Sequence, residues 1–178
     1  DPGLSPAGHE QAEAMAARLG PLGPLPMITS PLRRARETVA ALERRWHTLA
    51  IVEPGVGEVP SPSEDLAERQ AWLQEALRST WPELGPRYLS WRTMVTSFLA
   101  GITHDTVIVT HFVLINAAIG AATGDDRVWC RTVDNASVTV FDTADHALRF
   151  VGDLAELGAD APAGPDGADE VPDPGPVL

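Results

Sequence analysis

The sequence predicts an α/β domain with a mostly parallel central sheet that helices cover on both faces. Two observations carry this. Short charge-free segments ("MITS" at 27–30, "TVIVT" at 106–110) alternate along the chain with longer stretches whose apolar residues recur every three or four positions. Strands that alternate with helices build parallel sheets whose two faces are both buried, and such strands read as continuous apolar runs.

The elements follow in order. Ser5 caps a helix that opens on Pro6, and Ala12, Met15, Ala16 and Leu19 mark its apolar stripe. A Pro/Gly loop, 20–26, leads to the strand "MITS". Ser30-Pro31 repeats the cap-plus-proline start. Leu32, Ala35, Val39, Leu42 and Trp46 then define an amphipathic helix to about Arg45. "TLAIVE" (48–53) reads as a second strand and "PGVGEVPSP" (54–62) as an irregular loop. Segments 63–80 and 86–101 read as helices, separated by Trp81-Pro82 and Gly85-Pro86. The strand 106–110 follows, then His111, then an apolar helix interrupted by Asn116. "ASVTVFD" (136–142) and "ALRFVGD" (147–153) alternate as a β-hairpin turning at 143–146. The domain is expected over 1–155, with an acidic Pro/Gly-rich disordered tail over 156–178.

Charge and composition narrow the function. The formal charge is −12, but residues 153–178 hold seven acids and no base. Without them 18 acids face 13 bases, or −5, and no basic stripe is visible, so nucleic acid is not an expected partner. The longest apolar run, 112–122, is shorter than the roughly 20 residues that span a bilayer, so no membrane partner is expected. Cys130 is the one cysteine, which excludes an intrachain disulfide and suits a reducing, cytoplasmic compartment. Abundant Ala, Gly, Pro and Arg suggest a bacterium with a GC-rich genome. No two histidines have metal-ligand spacing, so no metal site is expected. The sequence has no GxxxxGK[ST], GxGxxG or GxSxG, which argues against P-loop, dinucleotide and serine-hydrolase chemistry. Trp72, Trp81 and Trp91 are read as packing residues rather than a ligand cage.

Ligands of open α/β sheets bind outside the carboxyl ends of the strands. Three loops leave such ends, carrying Arg33 and Arg34, Glu58, and His111. Cations in the first turn of a helix oppose its dipole, at a cost that an anion there would reverse. Both arginines could instead simply point to water. His111 sits where a strand meets a helix N-terminus whose N–H groups lack partners, a place suited to a phosphate or to a buried neutral histidine. Glu58 is either an ion-pair partner for the arginines or a proton donor in a partly dry cleft.

The order of five segments resolves these choices. "DPGLSPAGHEQAEAMAARL", "ITSPLRRARETVAAL", "VGEV", "VIVTHF" and "NASVTVFD", from Asp1 to about Val151, together resemble the histidine phosphatase superfamily, with its phosphoglycerate-mutase-like fold. The resemblance implies a three-layer α/β sandwich and a reaction in which a histidine nucleophile takes a phosphoryl group and passes it to water. By position, Arg34 matches the family's phosphate-binding arginine and His111 its second, non-phosphorylated histidine. Glu58 matches the general acid, and Asn135 lies at a loop near the pocket. No cofactor is implied. The implied substrate is a small phosphorylated compound or a phosphoprotein, which leaves a sugar phosphate, a nucleotide and a protein phosphohistidine all open. Oligomeric state is not legible.

Two departures stand out. The family's R-H-G triplet is not in the sequence, and the nucleophilic histidine is expected upstream of Asp1. Phe112 replaces the glycine usual after the second histidine, and its ring is expected to narrow the pocket or reshape its rim. The leading expectation is a metal-independent phosphomonoesterase. The alternatives are a phosphate-binding module without turnover and a phosphoglycerate-mutase-type phosphotransferase.

Overall fold

The computed structural model describes residues 1–157. Its elements are α1 (Pro6–Leu19), β1 (Met27–Thr29), α2 (Arg33–Trp46), β2 (Ile51–Val52), α3 (Leu66–Ala76), α4 (Trp81–Leu84) and α5 (Pro86–Ala100). They continue with β3 (Val107–Val109), α6 (Phe112–Thr123), β4 (Thr139–Asp142), β5 (Arg149–Asp153) and α7 (Leu154–Leu157). β1 is the middle strand of a parallel sheet in the order β2-β1-β3, with Ile28 beside both Ile51 and Ile108. β4 and β5 form a separate antiparallel hairpin.

The period of two in each strand builds the three layers. Met27, Val107 and Val109 face α1 and α2, where Met15, Leu19, Val39, Leu42 and Trp46 close one core. Ile28 and Ile108 face the other way, onto a core of Trp81, Tyr88, Val95, Leu99, Val113 and Leu114. The expected tryptophan packing is present: Trp72 stacks on Tyr88 and Trp81 on Trp91.

Several elements differ from the sequence reading. The second strand shrinks from 48–53 to two residues, because β2 is an edge strand with Leu49 at 84% and Ile51 at 68% exposure. The helix expected over 63–80 starts at Leu66, where the Asp65 carboxylate accepts from the N–H groups of Ala67 and Glu68, and ends at Ala76. Trp81-Pro82 is more than a break between helices. It opens α4, on which Thr80 and Glu83 form a capping box. Ser30 is not the cap of α2, whose N-cap is Leu32. The expected tail, 156–178, lies outside the described residues beyond Leu157.

Candidate functional site

The carboxyl ends of β1 and β3 lie side by side, and this brings distant residues together. Ser30 N–H donates to the Val109 carbonyl at 3.0 Å, locking the two strand ends in register. Thr110 Oγ1 donates to the Val56 carbonyl at 2.7 Å, which ties the loop before Glu58 to the end of β3. Glu53 shapes that loop, its carboxylate accepting from Gly55 N–H at 2.7 Å.

His111 is the N-cap of α6 and stays extended (φ −125°, ψ 157°), so its ring leaves the strand end rather than following the helix. It is 5% exposed. Its Nε2 lies 2.7 Å from Ser30 Oγ, which itself accepts from Leu32 N–H at 3.2 Å. Its Nδ1 lies 3.7 Å from Glu58 Oε2. Arg34, the second residue of α2, donates to that same oxygen at 3.4 Å. The other glutamate oxygen accepts from Val59 N–H at 3.1 Å.

The paired arginines divide. Arg33 is exposed and held by Glu37 at 2.7 Å, so for this residue pointing to water is the observed outcome. Arg34 turns inward. Asp1 fills the place where an anion is favoured: its carboxylate accepts from Arg33 N–H at 2.8 Å, at the N-terminus of α2, and lies 3.9 Å from Arg34.

Burial sets the protonation states. It pushes the Glu58 carboxyl above its usual range, against the Val59 N–H, Arg34 and Arg69, which all favour the carboxylate. Burial also holds His111 down to about 3, helped by the positive charges of Arg34 and Arg69. At neutral pH the imidazole is therefore uncharged and its contact with Glu58 is not a salt bridge. Burial desolvates both groups, and each responds by favouring its neutral form.

Arg34, Glu58 and His111 lie at the edge of a cleft of about 1560 Å³ between β3 and β4. β3 pairs only with β1, and β4 only with β5, among the described residues. Asn135 is exposed on the loop before β4 and lines the same cleft, with no hydrogen bond to the other three. Phe112 also lines it, its ring edge-on to Trp129 at 5.5 Å. That loop is pinned from behind by Asn116, which is fully buried and accepts from the N–H groups of Cys130 and Arg131.

Sequence reasoning missed Ser30, Asp1, Arg69 and Trp129. Only the polar Ser30 at a strand's carboxyl end gave a signal. Among the described residues no cluster of His, Cys, Asp and Glu could hold a metal ion, and no helix is long and apolar enough to cross a membrane.

Comparison with known proteins gives the family. The family model "Histidine phosphatase superfamily (branch 1)" matches residues 1–152. No curated protein matches. Among solved structures, Bacillus stearothermophilus YhfR superposes with a TM-score of 0.69 at 18% identity, covering 85% of this chain and 84% of its own. A mycobacterial glucosyl-3-phosphoglycerate phosphatase complexed with VO3 gives 0.63 at 24%, covering 86% and 87%. TTHB049 from Thermus thermophilus gives 0.56 at 23%, covering 85% and 84%. At such identities the structural likeness establishes the fold.

Proposed function

Since the chain belongs to the histidine phosphatase superfamily, we propose that it hydrolyses phosphate monoesters through a phosphohistidine intermediate, without a metal or cofactor. The observation that carries this is the convergence of Arg34, Glu58 and neutral His111 at adjoining strand ends. Phosphoryl transfer asks a protein chiefly for positioning and for charge around three equatorial oxygens. Arg34 supplies the fixed charge. The unpartnered N–H groups at the start of α6 and the His111 ring supply donors. Glu58, whose carboxyl burial pushes above its usual range, gives its proton to the leaving oxygen as the P–O bond breaks. In the second half the Glu58 carboxylate takes a proton from the water that attacks the phosphohistidine, and inorganic phosphate departs.

The nucleophile in this reading is a histidine N-terminal to Asp1. Asp1 lies 3.9 Å from Arg34, at the edge of the site, and β3 and β4 each have one edge without a partner among the described residues. The segment between Glu58 and β3 folds into three helices, α3 to α5, which favours hydrolysis over mutase chemistry. The proposal places the protein in a reducing, bacterial cytoplasm.

The test uses the full-length protein with EDTA present. It should release phosphate from an aryl phosphate and yield an acid-labile, base-stable phosphohistidine when quenched. His111→Ala should lose activity by about 10²–10³, as for removal of one donor to developing charge. Full activity in that variant would refute the reading. Phosphate binding without turnover would instead identify a binding module, and phosphoryl exchange between phosphoglycerates a mutase.

A further inference from the structure

A second, smaller cavity of about 370 Å³ also borders Glu58. Glu58 lines both cavities. The walls of the small one come from Pro31 and Leu32 at the entry to α2, from Ser61 and Ser63, and from Arg69 on α3. The two serines are already engaged: Ser61 Oγ accepts from Ser63 N–H, and Ser63 Oγ donates to Glu68 at 2.6 Å.

Arg69 is different. It is half-buried, yet among the described residues no carboxylate lies within 4.0 Å of its guanidinium and no side-chain hydrogen bond engages it. Glu64 also lines the cavity, but it is exposed and stays beyond that distance. Arg69 is close enough to act electrostatically on both Glu58 and His111. Holding a guanidinium partly out of water without a counter-ion is costly, and the cost is recovered when an anion binds.

From this arrangement we infer that Arg69 and the small cavity form a subsite for a second anionic group, a carboxylate or phosphate, on the leaving-group side of the substrate. The inference rests on the reading of Glu58 as general acid. A general acid must touch the leaving oxygen, so whatever that oxygen carries extends past Glu58. The small cavity adjoins Glu58, and its unengaged cation is Arg69. Arg34 and Arg69 therefore divide the work: one faces the phosphoryl group, the other the body of the alcohol that departs.

Two matched ligand pairs test this with the full-length protein. 3-Phosphoglycerate and glycerol 3-phosphate differ by a carboxylate in place of a CH2OH group. 1,3-Propanediol bisphosphate and its monophosphate differ by a second phosphate. Affinity is read by calorimetric titration, which needs no turnover, and kcat/KM is read separately. At least one anionic partner should bind about tenfold tighter than its neutral counterpart, the worth of one charge-assisted hydrogen bond of about 1.5 kcal/mol. The preference should shrink as salt rises. Arg69→Gln should bring that ratio to near one. Because the substitution also changes the charge felt by Glu58, the ratio within a pair is the readout, and any common change cancels. Equal affinities in the wild type, or a preference that survives Arg69→Gln, would overturn the subsite. Absence of turnover with the preference intact would refute the hydrolase reading alone.

Discussion

Replacing Asn116 by leucine should unlatch the loop that forms one wall of the cleft. Asn116 is fully buried in α6, and its Oδ1 accepts from Cys130 N–H at 3.0 Å and Arg131 N–H at 2.8 Å. Its Nδ2 also donates to the Phe112 carbonyl, a helix oxygen that the next turn can satisfy. Leucine is close in size and removes the acceptor without leaving a cavity. Each orphaned buried N–H costs about 1–3 kcal/mol, so the two together cost about 2–6 kcal/mol if both stay buried. Cys130 and Arg131 are only half-buried, so the loop can turn at least one N–H to water. The expected loss is therefore near the lower bound, about 2 kcal/mol. For a chain of this size that is a fall in Tm of about 4–8 °C. Urea titration should show a lower midpoint, and hydrogen exchange should speed up at the loop amides of residues 130 and 131 before those of α6. The latch is refuted if those two amides exchange as slowly in the variant as in the wild type.

Two further outcomes follow from the charges at the site. Glu58→Gln should lower kcat on alkyl phosphates by about 10²–10⁴, the usual worth of a general acid. It should spare kcat/KM for 4-nitrophenyl phosphate, whose leaving group needs no proton, while the phosphohistidine accumulates because the base for its hydrolysis is gone; equal losses of kcat/KM on both substrates would exclude the acid role. The wild-type rate on alkyl substrates should fall as pH rises through the raised Glu58 value, and the variant should lack that limb. His111 shapes stability in acid. Folded His111 resists protonation down to about 3, whereas the unfolded chain takes that proton below about 6.5. Stability should thus fall with decreasing pH across that window, with a slope from this group of up to about 1.4 kcal/mol per pH unit. His111→Gln should remove that share of the slope in urea titrations at a series of pH values, and an unchanged slope would mean His111 titrates normally.

How much of this was legible depends on the distance over which each feature is decided. The stripe Ala35, Val39, Leu42, Trp46 fixed α2 because one face of one helix decides which side is buried, and all four are buried. His111 was legible as a strand-to-helix joint for the same local reason. Arg33 and Arg34 were not separable by spacing. What separates them is Glu37 one turn along for the first, and Glu58 from another loop for the second. The contact of Ser30 with His111 joins residues 81 apart, through a strand pairing that no local pattern specifies. Leu49, Ile51 and Val52 read as part of a longer strand, yet all three are exposed, because apolar composition does not determine which strand becomes the sheet's edge. Arg69 was invisible because α3 buries only Ala76 and its sequence marks no inner face.

One physical cause underlies the proposed role of three ordinary residue types here. Burial acts on Glu58 and His111 in opposite directions on the pH scale but toward the same end, the neutral form of each. A neutral glutamic acid can donate a proton, and a neutral imidazole can stand beside it without forming an ion pair that would hold the carboxylate ionised. The arginines do not act symmetrically on the two. Arg34 and Arg69 reinforce the neutral state of His111 but oppose that of Glu58. For Glu58 the burial effect is the larger, so the acid exists only while water is kept from the junction of the two cavities. An anion paired with Arg69 would cancel some of the opposing charge and raise the Glu58 value further. Substrate binding would then strengthen the acid's hold on its proton until the leaving oxygen develops the charge that takes it.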